Sequence, residues 1–304
     1  MSIKKQYKQE RDQLQMFLGE IGNLLERESG FVQRRSKFGG NELVQTMTLG
    51  CLENGIASLE NFCQVATDLG ITISPSGLHQ RLNSEAVELL RKVCQIWLQQ
   101  KTEMPSDHQV LSQFKAVRII DSSHIQVAAD LAEVFPGARQ DATMQVQLSY
   151  EYQTGQIEAI EVEGAKCPDQ KCHLPEDMSQ AGDLVLFDLG YFDQNRFAQL
   201  DKNGVYFVSR LQSQTGLYER DNADQKVHLL DFLKQLSPTI MSGERILCLG
   251  RKQKVPVRVV YYRVPPAIVQ ERRRKAKKVA RKNGKTCSQN LLDWQDWLVF
   301  ITNV

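Results

Sequence analysis

Apolar residues recur every three or four positions through the first hundred residues, then alternate with polar ones or gather in short β-branched runs, so the chain changes texture near residue 105. Leu14, Phe17, Ile21, Leu24 and Leu25 predict one amphipathic helix. Ser58 to Leu69 predicts a second, stopped by Gly70, and Pro75 to Leu82 (PSGLHQRL) a short third with proline at its first position. Glu85 to Gln100 (EAVELLRKVCQIWLQQ) predicts a fourth, with Val87, Leu89, Leu90, Val93 and Trp97 on period and Ser84 as N-cap. The second and third form a helix-turn-helix order, with Ala66 and Gly70 as packing and turn residues and His79 and Arg81 placed to face outward. Two readings follow. Either the short helix enters a DNA major groove, or the region is an all-helical packing domain, since the connection Gly70 to Ser74 is longer than a tight turn.

After the polar stretch 102–108 the strands begin. Ala116 to Ile120 (AVRII) runs directly into Asp121-Ser122-Ser123-His124. Thr143 to Tyr152 and Gln156 to Glu163 alternate around Thr154-Gly155 and predict a hairpin. Asp183 to Phe187 (DLVLF) ends in Asp188-Leu189-Gly190-Tyr191; a short helix, Asn195 to Lys202, and a strand, Val205 to Arg210, follow. Strand, hairpin, strand, helix, strand is the order of a mixed sheet with crossovers, an α+β or α/β fold. Shorter strands come next, notably Arg245 to Leu249 and Val255 to Tyr262, then a basic segment of helical character, then Trp294 to Val304 ending in one more strand.

Composition narrows the class. At 304 residues, 41% hydrophobic and 24% charged, the chain is no disordered, collagenous or disulfide-scaffold protein. Its net charge of +2 is uneven: Glu271 to Lys285 (ERRRKAKKVARKNGK) holds nine basic residues against one acid, net +8, which leaves −6 for the rest. A cationic segment on a mildly acidic body points to a polyanionic partner. Seven scattered cysteines fit a reducing compartment. The start is polar, and no run approaches the roughly 18 apolar residues of a membrane span. The expected location is the cytoplasm, with no membrane partner.

Asp121 and Asp188 occupy equivalent places, each following an apolar run. Where such strands lie parallel, both carboxylates emerge at the same carboxyl edge. Two adjacent like charges are unfavourable unless a cation offsets them, and Mg2+ prefers such hard oxygen ligands. Two ions about 4 Å apart would stabilise the attacking and leaving oxygens of a phosphodiester displacement. Either aspartate alone would pass as an ordinary turn or cap residue; the pair, each with its tetrad, argues for a metal site.

The stretches Asp121 to Gly137 (DSSHIQVAADLAEVFPG), Gly182 to Phe192 (GDLVLFDLGYF) and Val205 to Leu211 (VYFVSRL), with Phe31 to Arg81 before them, resemble DDE-type transposases of bacterial insertion sequences, in the insertion-sequence-four group related to the Tn-five transposase. The resemblance implies a helical N-terminal DNA-binding domain (1–105), an RNase H-like catalytic core (110–211), a β-rich insertion carrying the basic segment (212–293) and a strand that re-enters the core (294–304). It makes Asp121 and Asp188 the first two catalytic carboxylates and metal ligands, with Ser122, Gly190 and Tyr191 supporting the motifs. The implied cofactor is a pair of Mg2+ ions, with Mn2+ as a substitute. The implied partners are double-stranded DNA, as element ends and target, and a second copy of the chain; the implied reaction is strand cleavage and transfer.

One family feature is missing. The third carboxylate belongs to a Tyr-x2-Arg-x3-Glu-x6-Lys pattern, and none occurs: Glu271 has Lys278 in place, but Ala267 stands for the Arg and Val264 for the Tyr, while Glu219 and Glu244 lack both flanks. The expectation is therefore a chain that stops one element short with an incomplete catalytic set. The alternative is a non-catalytic DNA-binding remnant or regulator of transposition. Met144-Gln145 also departs, standing where a basic residue is expected.

Within the basic run, Arg272, Arg273, Arg274, Lys275, Lys277, Lys278, Arg281 and Lys282 are the expected phosphate contacts, each docked cation releasing a counterion. A solvated helix face is the plainer reading. Trp294 and Trp297 either stack on bases or belong to the core, and His124 either lines the site or is an ordinary packed histidine. Cys167, Cys172 and His173 lack a second matching pair, which argues against structural zinc.

Overall fold

The computed structural model describes residues 16–34, 37–54, 57–99, 110–137, 141–222, 224–282 and 284–304. The polar start and the polar stretch 102–108 lie outside them. The chain divides into two compact units, Met1–Lys101 and Thr102–Val304.

The first unit is helical: α1 (16–25), α2 (Gly40–Asn54), α3 (Leu59–Asp68), α4 (Pro75–Arg81) and α5 (Ser84–Gln99). Leu18, Ile21, Leu25, Leu43, Val44, Phe62, Leu78, Leu89 and Val93 form its core. Ser58 and Asn61 cap α3 reciprocally, and Gly70 takes the left-handed conformation (φ 83°) that ends it. Ser74 caps α4 by accepting from the Gly77 N–H at 3.1 Å. The cap of α5 is Asn83, whose Oδ1 accepts from the Ala86 N–H at 3.0 Å; Ser84 is already helical. Helix α2 has no single apolar stripe because no residue from Asn41 to Gly50 is exposed, so its pattern carries little period.

The second unit is built on one ten-stranded sheet: β1 (Val117–Gln126), β2 (Thr143–Glu151), β3 (Gln156–Gly164), β4 (Leu184–Phe187), β5 (Tyr206–Arg210), β6 (Leu217–Glu219), β7 (Lys226–Val227), β8 (Ser242–Leu249), β9 (Val255–Arg263) and β10 (Trp297–Thr302), in the order β3-β2-β1-β4-β5-β10-β9-β8-β6-β7. Strands β1, β4 and β5 are mutually parallel, as the crossover through α7 (Gln194–Lys202) requires, while β2 and β3 form the expected hairpin and a one-turn helix α6 (Leu174–Asp177) precedes β4. This is the mixed α/β architecture expected of an RNase H-like fold. The segment 212–293 extends that same sheet: β9 pairs with β10, and β10 pairs with β5. It also supplies β6, β8, β9 and the helix α8 (Leu229–Gln235) to one core, where Leu217, Leu233, Leu247 and Val257 join Phe187, Phe197 and Phe207. Each such side chain contributes about 1.5 to 3 kcal/mol by leaving water. Among the described residues no helix is long and apolar enough to cross a membrane.

Candidate active site

Strand β1 is longer than its apolar run. It continues through Asp121 to Gln126, because β2 pairs along its whole length, from Arg118 opposite Glu151 to Gln126 opposite Thr143. Its pairing with β4 stops earlier, at Ile120 opposite Phe187. Asp121 is thus the first residue of β1 beyond the parallel partner, and Asp188 is the first beyond β4. Parallel neighbours in register carry their side chains on the same face, and adjacent strands run about 4.8 Å apart. Asp188 is still extended (φ −78°, ψ 175°) and its side chain caps nothing. Both carboxylates are exposed; Asp121 Oδ1 accepts from the Ser122 N–H at 2.9 Å.

The third parallel strand completes the row. Phe187 is opposite Ser209, so Arg210, the last residue of β5, lies in register with Asp188, the first beyond β4. Its Nη1 lies 3.6 Å from Asp188 Oδ1. The pattern of apolar runs could not have found Arg210, since a cation closing a strand is common; only the register of three strands sets it apart.

Ser122, Gly190 and Tyr191 act from the opposite face. Tyr191 is buried; its hydroxyl donates to Gln147 Oε1 and is also bonded by Ser122. Burial, with Asp169 nearby, pushes its phenol well above the ordinary value, so it stays protonated. Gln145 and Gln147, both buried on β2, donate to Asp169 Oδ1. A side chain on Gly190 would collide with the Asp169 carboxylate, which is why glycine stands there. Gln145 thus takes the place where a basic residue was expected and serves Asp169 instead. His124 alternates onto this face too, away from Asp121, and is exposed.

The basic segment forms α9 (Pro266–Lys282). Two of its expected phosphate contacts are turned inward. Arg273 donates to the Leu292 carbonyl at 3.1 Å and pairs with Asp296 at 2.7 Å, and Arg272 donates to the Trp297 carbonyl at 3.2 Å. Arg274, Lys275, Lys277, Lys278, Arg281 and Lys282 are exposed, with Lys275 paired to Glu271 at 2.7 Å. Trp297 is core, edge-on to Tyr261 and under Arg263. Trp294 is half-buried and lines a cleft with Gln212, Thr215, His228 and Ser288. In the first unit His79 is exposed on α4, whereas Arg81 Nη1 donates to the Phe38 carbonyl at 2.8 Å and so helps to hold the helix end.

Among the described residues no group of three or more His, Cys, Asp or Glu side chains is gathered as for a metal ion. The carboxylates at the sheet edge are two, Asp121 and Asp188, with Arg210 beside them.

Residues 112–289 match the family described as Transposase DDE domain. The chain is also similar to named transposases. It is 29% identical to the transposase for insertion sequence element IS231F of Bacillus thuringiensis subsp. israelensis, over 100% of this chain and 68% of that protein. It is 30% identical to that for IS231C of Bacillus thuringiensis subsp. berliner, over 96% and 67%. For IS1151 of Clostridium perfringens the figures are 24%, 93% and 64%. The chain therefore spans about two thirds of the length of these relatives.

Proposed function

The chain belongs to the DDE transposase family of insertion sequences, and on that footing we propose that it binds the DNA ends of such an element and takes part in their Mg2+-dependent cleavage and transfer. The observation that carries the proposal is the in-register row Asp121, Asp188, Arg210 at one sheet edge. Two exposed, hard carboxylates fit Mg2+ or Mn2+, which take one or two carboxylates and fill their shell with water and substrate phosphate. When bound, a pair of ions stabilises charge on the attacking and leaving oxygens at phosphorus.

This chain's own residues do the positioning. The hydrogen bonds among Ser122, Tyr191, Gln147 and Asp169 fasten β1, β2 and the Asp188–Tyr191 turn to one another. The two strand ends are thereby held in register before any cation arrives. The outward cations of α9, Arg274, Lys277, Lys278, Arg281 and Lys282, serve DNA backbone contact without reading sequence. His79, exposed on α4, serves groove contact in the first unit, with Arg81 contributing only what its bond to Phe38 leaves. Two ends must be paired in transposition, so the working unit is a dimer on DNA.

A labelled duplex made from the DNA flanking the coding region, incubated with the chain and Mg2+, tests the reading. Nicking that needs Mg2+ and vanishes in Asp188→Ala supports it; nicking that survives Asp188→Ala sinks it. A second reading, DNA binding without cleavage, is favoured by one observation: among the described residues no group of three or more His, Cys, Asp or Glu side chains is gathered. Duplex binding with no nicking at any Mg2+ or Mn2+ concentration would select it.

A further inference from the structure

Asp188 stands one residue beyond the ladder that aligns β4 with its neighbours, since Phe187 is the last residue of β4 paired with β1 and with β5. Its backbone is therefore held from the turn that follows. The Asp188 carbonyl accepts from the Tyr191 N–H at 3.1 Å, so the aspartate moves with Tyr191. Tyr191 is fixed at both of its ends. Its hydroxyl is tied to Gln147 on β2, and its carbonyl accepts from Arg196 Nη1 at 3.0 Å.

Arg196 is buried near the start of α7. Asp193 caps that helix and accepts from the Arg196 N–H at 2.9 Å, which fixes where the side chain begins. Arg196 Nε pairs with Glu176 at 2.7 Å, and this bond offsets the buried charge. The other two nitrogens are spent on backbone. Nη1 holds the Tyr191 carbonyl, while Nη2 donates to the carbonyls of Gln170, at 3.0 Å, and Cys172. One guanidinium thus joins the segment 170–172 to the turn that carries Asp188.

The two segments also touch directly. The single turn Asp169–Lys171 packs on the turn Leu189–Tyr191 so closely that a side chain on Gly190 would strike Asp169. Gln170 Nε2 donates to the Phe192 carbonyl at 3.1 Å, a second tie between them. Asp169 is in turn held by Gln145 and Gln147 of β2, which pairs with β1 and so with Asp121. Charge compensation alone needs only the bond to Glu176. Three carbonyl bonds from a planar fork, on two segments that meet beside a candidate ligand, do something more: they fix one backbone against another.

We propose that Arg196 is a positioning residue for the metal site, one that sets the place of the Asp188 carboxylate relative to Asp121 by clamping the Tyr191 carbonyl to the segment 170–172. It touches neither cation nor DNA and acts through Asp188. The proposal rests on the functional reading above and deepens it: the affinity of the two carboxylates for a divalent cation depends on a buried arginine behind them, as metal sites depend on the groups that orient their ligands.

The test uses the whole chain, with Mn2+ binding followed by electron paramagnetic resonance in the absence of DNA and stability followed by urea unfolding. Arg196→Lys keeps a charge for Glu176 but cannot reach three carbonyls. It should bind Mn2+ about tenfold more weakly, and half-maximal nicking should shift to about tenfold higher Mg2+. Arg118→Lys is the control for lost stability alone, since Arg118 is buried between Glu158 and Asp183 near the start of β1. However far it lowers the urea midpoint, its Mn2+ affinity should stay within about twofold of the unaltered chain. Gln170→Ala, at an exposed position safe for folding, removes the second tie and should weaken Mn2+ binding about threefold. Unchanged Mn2+ affinity in folded Arg196→Lys overturns the proposal, and so does an equal loss in Arg118→Lys, which would mean general loosening. If Arg196→Lys does not fold, Gln170→Ala decides, and unchanged affinity there overturns it. An unaltered chain that binds no Mn2+ sinks the functional reading itself, whereas binding that is lost in Asp188→Ala but untouched in Arg196→Lys sinks only the positioning.

Discussion

Strands β1 and β4 carry charge at both ends, and the two ends are built differently. At the amino end Arg118 is nearly buried. It grips Glu158 through two nitrogens, at 2.6 and 3.1 Å, and also pairs with Asp183, whose side chain is 4% exposed and accepts from the Gln180 N–H at 2.7 Å. Glu151, buried beside them, accepts three backbone N–H bonds, from Val117, Gln153 and Thr154. At the carboxyl end Asp121, Asp188 and Arg210 are exposed, and their one cross-strand contact is 3.6 Å long. Charge that is saturated with partners fixes the sheet; charge left underused is available to a ligand. The same strands supply both, which is how a rigid frame can present a site without consuming it.

The largest effect that could break this contrast is at Asp188. Asp188→Asn should reduce Mg2+-dependent nicking on the order of a thousandfold, since a metal-ligating charge is lost. Duplex binding without metal should hold or tighten, because an anion beside the phosphate is gone. Equilibrium unfolding should barely change, as the side chain is exposed and caps nothing. A large loss of stability in this variant would mean that the carboxyl edge is structural after all.

Arg118→Ala should do the reverse. Removing one partner of a buried ionic cluster leaves Asp183 and Glu158 uncompensated, and the cost is about 3 to 5 kcal/mol in denaturant unfolding. The sharper version replaces Arg118 with methionine together with Glu158→Leu and Asp183→Asn, which leaves neither acid uncompensated and should cost much less than the single change.

Glu151 gives a smaller effect with a pH signature. Burial alone would raise its carboxyl, but the bonds from Thr154, Val117 and Gln153 outweigh burial and hold it below the ordinary carboxylate range. A depressed value in the folded state means stability that is present above the unfolded pKa, near pH 4.3, and is lost as pH falls through the folded one. Glu151→Gln should therefore destabilise by about 1 to 3 kcal/mol at neutral pH. The gap from the unaltered chain should close below about pH 4. A gap that stays constant down to pH 3 would mean that shape and not charge is what Glu151 supplies.

These ends were unequally legible in the sequence. Asp121 and Asp188 stand out because apolar runs stop at them, and the parallel register that joins them follows from the crossover order. The length of β1 was not visible, since Asp121-Ser122-Ser123-His124 has the composition of a turn and is held extended only by pairing with β2. On β2, alternation alone assigns Met144, Val146, Leu148 and Tyr150 to the core; the structure buries Gln145, Gln147, Ser149 and Glu151 instead. Gln145 and Gln147 are needed by Asp169 and Tyr191, which are distant in sequence, and Glu151 by Val117 and the adjoining turn at Gln153 and Thr154. The basic segment was legible as a cationic helix, but its division into docking residues, Arg272 and Arg273, and outward ones depends on β10 and on α10 (Gln289–Trp294).

The smallest effect sharpens the comparison most. Arg210 and Arg118 are both arginines that pair with an aspartate from the neighbouring β4 region, yet their burial differs severalfold, 44% against 11% side-chain exposure. If burial and bond length decide the worth of a pair, Arg210→Gln should change unfolding free energy by less than about 1 kcal/mol, and raising the salt concentration should shrink even that. A cost comparable with Arg118→Ala would show that the carboxyl edge is as tightly fastened as the amino edge, and the reason for assigning a ligand to it would disappear.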